Sequence, residues 1–190
     1  HLGVQDALLD VARFWLDRGV DGFRLDVVNF LIKDAQLRDN PPIARPAPRP
    51  APPAHPHAFQ RHLHDRSQGE TLAFVARLRA LLDSYDDRFA VGEIEDEDSL
   101  ARQIEYTDGP DRLHSAYSFF LLRARRAAPA LFKEALGAWS DARGWPSWSL
   151  SNHDVVRYPT RLAHGDGNLT RVLMAALLSL RGTIFLYQGD

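Results

Sequence analysis

The 190 residues include no cysteine, so no disulfide framework and no thiolate nucleophile can be built from them. No apolar run approaches the roughly 20 residues that span a bilayer, and no signal-peptide pattern is visible. Neither sign of charge dominates: 23 Lys and Arg stand against 25 Asp and Glu, a net −2. That balance carries no electrostatic footprint for nucleic acid or for an acidic membrane surface. A glycine-rich phosphate loop is also missing, since the "GDG" at 165–167 is too short to stand for one. The expected partners therefore include neither nucleic acid nor membrane. A cytoplasmic location is the expectation, with the periplasm left open, and the oligomeric state is not legible.

What is present reads as a globular chain. Hydrophobic residues make up 45% and charged residues 25%, and the length allows one domain with a real core or two small ones. Val4, Leu8, Val11 and Trp15 form a helical stripe over 4–18 that stops at Gly19. A strand follows over 20–25. A helix is expected over 70–84, a strand at "RFAVGE" (88–93) and a brief acidic helix near 97–105. "RLHSAYSF" (112–119), "PSWSLSNHD" (146–154) and "GTIFLYQG" (182–189) read as further strands. Helices over 129–142 and about 169–180 separate them. Five alternations of strand and helix imply parallel βαβ units rather than hairpins.

One segment breaks this rhythm. Residues 41–57, "PPIARPAPRPAPPAHPH", hold eight of the twelve prolines and suit neither a helix interior nor a central strand. The expectation is an extended or disordered loop insertion at about 40–58, placed between a strand and the helix after it.

Polar residues gather at or just after the C-terminal ends of these apolar strands, the edge where parallel α/β folds build their sites. Three carboxylates stand out: Asp26 in "GFRLDVVNF", Glu93 in "VGEIED" and Asp154 in "SNHDVVR". Each has a plain alternative. Asp26 and Asp154 could cap following helices, and Glu93 opens an acidic run that could be solvated surface. Jointly they share a strand end, a short apolar approach and polar neighbours. Arg24, two residues before Asp26, sits in a strand where a charge is expensive unless paired. Converging carboxylates explain it, with Arg24 holding Asp26 ionised and oriented.

These three stretches, in this order and spacing, resemble conserved motifs of the α-amylase family of glycoside hydrolases, closest to its bacterial α-glucosidase and oligo-1,6-glucosidase branch. "LHSAYSFFL" and "IFLYQGD" resemble further strand regions of that branch. The resemblance implies a retaining glycosidase on a (β/α)8 barrel, acting on short oligosaccharides. It assigns Asp26 as nucleophile, Glu93 as acid/base and Asp154 as a third carboxylate that grips sugar hydroxyls. It assigns Arg24, His153 and Arg157 to substrate binding and positioning. Neighbouring negative charge from Asp26 and Asp154 is expected to surround Glu93. No cofactor is implied and no metal is assigned.

A typical barrel needs about 250 residues, and five strands are read here. Residues 1–190 are therefore expected to be the C-terminal portion of a partial (β/α)8 barrel, from its fourth strand to its eighth, with both ends cut. The isolated chain would then be incomplete and inactive. Trehalose synthase and sucrose-cleaving relatives share the motifs and stay open as alternatives, as does a non-catalytic fragment.

Overall fold

The computed structural model describes residues 1–43 and 56–190. Helix α1 (Leu2–Leu16) is capped by the His1 ring, which accepts the Gly3 N–H, and leads to strand β1 (Gly22–Leu25). After the insertion come α2 (Gly69–Leu82), β2 (Phe89–Ile94), α3 (Ser99–Glu105), β3 (Ser115–Ser118) and the single turn α4 (Phe119–Leu122). Then follow α5 (Pro129–Ala138), β4 (Pro146–Trp148), the single turn α6 (Tyr158–Arg161), α7 (Gly167–Leu178) and β5 (Thr183–Ile184).

The five strands form one sheet in the order β1-β2-β3-β4-β5, every pair parallel. Spatial order that follows chain order in one direction is the winding of a barrel. A doubly wound sheet would reverse direction at a switch point. Together with the solved structures described below, the topology makes the fold part of a (β/α)8 barrel.

Two apolar clusters fill the space between sheet and helices. One packs Leu16, Val75, Leu78 and Leu82 against Ala90, Ile94 and Leu113. The other joins Trp139, Trp148, Leu150, Leu162 and Leu177. Full burial of one such side chain contributes about 1.5–3 kcal/mol. Close approach to backbone also demands glycine, most clearly at two places. A Cβ on Gly22 would lie 1.8 Å from the Phe89 carbonyl oxygen, and one on Gly182 would lie 2.5 Å from the Pro146 carbonyl oxygen. Gln103, fully buried, donates from Nε2 to the carbonyls of Ala116 and Ser147, tying α3 across β3 and β4.

The expected elements are present with four differences. The strand expected over 146–154 pairs only over Pro146–Trp148, and the residues up to Asp154 form the loop after it. The last strand is only Thr183–Ile184; one further bond, from the Phe185 N–H to the Trp148 carbonyl at 2.8 Å, extends its alignment. Phe185 and Leu186 then leave the sheet, 38% and 58% exposed. The helix expected over 129–142 ends at Ala138, where Trp139 turns inward to pack edge-on against Trp148. The short helices α4 and α6 were not read from the sequence, since single turns carry no periodicity.

Most of the proline-rich stretch lies outside the described residues. Its flanks are paired: Pro42 and Gln60 form an antiparallel bridge, and Ile43 N–H meets the Phe59 carbonyl at 2.8 Å. Pro56–Phe59 is a 3-10 turn, where an extended or disordered loop was expected. Among the described residues, no helix is long and apolar enough to cross a membrane.

Candidate active site

Strand β1 ends at Leu25, so Asp26 is the first residue beyond the sheet. Glu93 is the penultimate residue of β2 and pairs in register with Tyr117 of β3. His153 and Asp154 follow β4 on the same edge. A cavity of about 420 Å³ is lined by Asp26, Val27, Glu93, His153 and Asp154, with Arg123 on its wall. The three carboxylates read from the sequence thus share one cavity.

Arg24 joins two of them. Its Nη1 donates to Asp26 Oδ1, and its Nη2 lies 2.7 Å from both Glu93 Oε2 and the Tyr117 hydroxyl. Tyr117 accepts from Arg24 and donates to Glu93 Oε1 at 2.8 Å. Glu93 is 2% exposed, and the Val27 N–H completes its shell at 3.1 Å from Oε2. Burial opposes the charge on Arg24, but its bonds to Tyr117 and Asp26 outweigh burial and raise its pKa. The hydrogen bond from Arg24 holds the Asp26 carboxyl below the usual carboxylate range. Burial pushes the Tyr117 phenol up, aided by its bond to Glu93. Glu93 was expected among negative charges; Asp26 and Asp154 do share its cavity, and the structure also sets the Arg24 cation against it.

Val27 carries strain. Its φ of 30° and ψ of 55° are left-handed, a conformation that a β-branched residue rarely adopts and that costs on the order of 1–3 kcal/mol. That turn aims the Val27 N–H at Glu93 and opens the 3-10 turn Val28–Phe30. Within this turn, Asn29 is buried and donates from Nδ2 to the Glu95 carbonyl at 2.8 Å and to Ser67 Oγ at 3.0 Å. The loop after β1 is thereby tied to the loop after β2.

The third carboxylate is held more loosely. Asn152 Nδ2 donates to Asp154 Oδ2 at 3.2 Å and Asn152 Oδ1 accepts the Asp154 N–H at 3.0 Å. His153 Nε2 lies 3.6 Å from Asp154 Oδ1, and both side chains are about half exposed or more. His153 also faces a second hollow of about 230 Å³ that holds Arg24, Tyr117, Asn152 and Tyr187. Arg157 lines neither hollow. It stands 3.5 Å from Asp190 and its guanidinium lies 4.5 Å from the centre of the Tyr187 ring, so it adjoins the second hollow only through that tyrosine.

Sequence reasoning missed Tyr117, Val27 as a donor, and the Arg123–Glu95 ion pair on the cavity wall. Tyr117 stands level with Glu93 on the adjacent strand, a register that only the folded sheet reveals. A larger hollow, about 850 Å³, lies between α5 and α7 and is lined mainly by apolar side chains such as Phe132, Leu136, Leu169 and Val172. Its lining holds no carboxylate, and its one charged residue is Lys133. A group with metal-ligand character, His57, His62 and Asp65, lies outside the residues that line the carboxylate cavity.

Known proteins share this arrangement of chain. Residues 2–190 match the family described as "Alpha amylase, catalytic domain". A "Probable alpha-glucosidase" of Rhizobium meliloti (strain 1021) is 45% identical over 195 residues, which cover 98% of this chain and 35% of that protein. An "Oligo-1,6-glucosidase" of Parageobacillus thermoglucosidasius is 29% identical over 206 residues, 98% of this chain and 34% of that protein. Among solved structures, the "alpha-glucosyl transfer enzyme, XgtA" superposes with a TM-score of 0.89 at 46% identity, over 100% of this chain and 36% of that one. The chain spans about a third of the length of the relatives it matches. With a family match over nearly every residue and three carboxylates converging at one sheet edge, the chain belongs to the alpha-amylase catalytic domain family.

Proposed function

We propose that this chain supplies the catalytic carboxylates of a retaining α-glucosidase that removes terminal glucose from short α-glucosides such as maltose or isomaltose. The observation that carries this reading is Arg24, one guanidinium in contact with both Asp26 and Glu93 beside Asp154. A shared guanidinium favours the short separation of a retaining pair, about 5–5.5 Å, over the roughly 6.5–9.5 Å that an inverting pair needs for its water.

In this reading Asp26, kept ionised by Arg24, attacks the anomeric carbon and forms a β-linked glucosyl ester. Glu93 gives its proton to the departing oxygen and then takes one from the incoming hydroxyl. Asp154 and His153, exposed to the cavity, bind sugar hydroxyls as positive charge grows on the ring. Arg24 positions both working carboxylates. Arg157, fixed by Asp190 and Tyr187, contributes from the rim. The chain works as the C-terminal part of a barrel completed by further strands, with an oligosaccharide as its partner and the cytoplasm as its place. No cofactor enters these steps.

Likeness to an alpha-glucosyl transfer enzyme at 46% identity favours a second outcome of the same ester: attack by an acceptor hydroxyl in place of water. The test is proton NMR of the first product released from an α-glucoside by the intact protein. Retention gives α-glucose first; β-glucose first overturns the mechanism. Product analysis on maltose, isomaltose, trehalose and sucrose, with and without an acceptor alcohol, separates hydrolysis from transfer and from trehalose- or sucrose-directed chemistry.

A further inference from the structure

The neck of the insertion carries a second group of titratable side chains within "HAFQRHLHD", 57–65. The 3-10 turn at Pro56–Phe59 brings the His57 ring onto that of His62, with centroids 3.7 Å apart and planes at 29°. His62, its side chain 6% exposed, places Nδ1 at 2.8 Å from Asp65 Oδ2 and Nε2 at 2.9 Å from the His57 carbonyl oxygen. Both of those oxygens are acceptors. A neutral imidazole has one N–H to give, so one contact sets lone pair against lone pair unless a positive charge lies there. The backbone carbonyl takes the Nε2–H, the arrangement that orients metal-bound histidines. The Nδ1 lone pair then faces the Asp65 carboxylate.

Three further features fit a cation at that point. One ligand atom from each of His57, His62 and Asp65 lies within 4.8 Å of the others. Ligands at 2.0–2.2 Å around a tetrahedral ion stand roughly 3.3–3.6 Å apart, so His62 Nδ1 and Asp65 Oδ2, now 2.8 Å apart, must part slightly to admit the ion while the exposed His57 moves in. Asp65 Oδ1 is buried and accepts no hydrogen bond. The Lys33 ammonium bonds the Asp65 backbone carbonyl at 2.6 Å, not its carboxylate. We propose that His57, His62 and Asp65 bind one divalent ion of the zinc type at the neck of the insertion, with water in a fourth position. Two imidazoles and one carboxylate suit zinc better than magnesium or calcium, which prefer oxygen. Bound there, the ion would cross-link the turn at 56–59 to the segment that pairs with Pro41 and Pro42.

The test uses the intact protein stripped of metal and titrated with zinc against a chromophoric chelator, then with cobalt to read its visible absorption. Expected are one zinc per chain, a submicromolar dissociation constant and a cobalt spectrum of low coordination number. His57→Ala, His62→Ala and Asp65→Asn should each weaken zinc by at least about tenfold, while His164→Ala, at an exposed position elsewhere, leaves it unchanged. Should His62→Ala misfold, the exposed His57→Ala and the wild-type cobalt spectrum decide. Absence of stoichiometric binding overturns the proposal and leaves His62 and Asp65 as a hydrogen-bonded pair. Binding that survives all three variants overturns it as well. The readout is binding alone, so it stands or falls separately from the glucosidase reading.

Discussion

The two sides of the carboxylate cavity are built differently. On the β1–β2–β3 side the strands pair through four residues each, and Arg24, Glu93 and Tyr117 interlock across all three. On the β4–β5 side the ladders shorten to two pairs. The loop after β4 is anchored on either side of Asp154, at Ser151, whose Oγ accepts the Tyr158 N–H at 3.0 Å, and at Val156, whose carbonyl accepts from Arg161 Nε at 3.1 Å. Between them Asp154 is tied only to its own neighbours, Asn152 and His153. Buried charge needs fixed partners, so Glu93, the proposed acid/base, is locked into the sheet, and Arg24 ties the exposed Asp26 to it. Asp154, proposed to grip an incoming sugar, can stay solvated until the sugar replaces its water.

That contrast predicts a ranking of stability effects in the intact protein. Arg24→Met should cost the most. It strips the cation from buried Glu93, and breaking a fully buried pair costs about 3–5 kcal/mol. Arg24 is itself about a third exposed, so roughly 1–3 kcal/mol is expected by denaturant unfolding, with kcat down by about 100-fold or more from misplaced carboxylates. Tyr117→Phe removes one hydroxyl from the same network and should cost about 1 kcal/mol. Asp154→Asn should leave stability within about 0.5 kcal/mol while lowering kcat by about 100-fold or more. If Asp154→Asn destabilises as much as Arg24→Met, the contrast between the two sides is wrong.

The smallest effect is on pH dependence. Asp26 has a folded pKa depressed below its ordinary 3.8, chiefly by the bond from Arg24. Pairing with Arg24 therefore contributes stability that is present above about pH 3.8 and is lost as pH falls through the lower folded value. Asp26 is largely exposed, so solvent screens the contribution. Arg24→Met should raise the acid limb of kcat/KM toward that ordinary value. An unmoved limb would mean that Arg24 does not set the ionisation of Asp26.

Much of the sheet could be read from periodicity, because short apolar runs ending in polar residues alternate with helical stripes. Asp26 and Glu93 were legible because they stand at the ends of such runs; Asp154 lies six residues beyond β4 and was legible through the resemblance of "SNHDVVR" to a family motif. Other features needed coordinates. Nothing in "GFRLDVVNF" shows that Val27 turns left-handed to give its N–H to Glu93. The contact between Arg24 and Glu93 spans two strands, and register across a parallel pair is set by packing that no single segment contains. The last strand was over-read, since "TIFLY" has the composition of a strand although only Thr183 and Ile184 pair. The His57–His62–Asp65 group was hidden by a proline-rich composition that drew attention to its loop and away from its histidines.

The central claim is that Asp26 and Glu93 play distinct parts in one retaining mechanism. Azide rescue of the two alanine variants, on an α-glucoside with a good leaving group, tests it most directly. With Glu93→Ala the β-linked ester on Asp26 still forms and azide opens it from the opposite face, so α-glucosyl azide is predicted. With Asp26→Ala azide must displace the leaving group itself, and β-glucosyl azide is predicted. Obtaining the two anomers the other way round would reverse the assignment, and rescue of neither variant would contradict it.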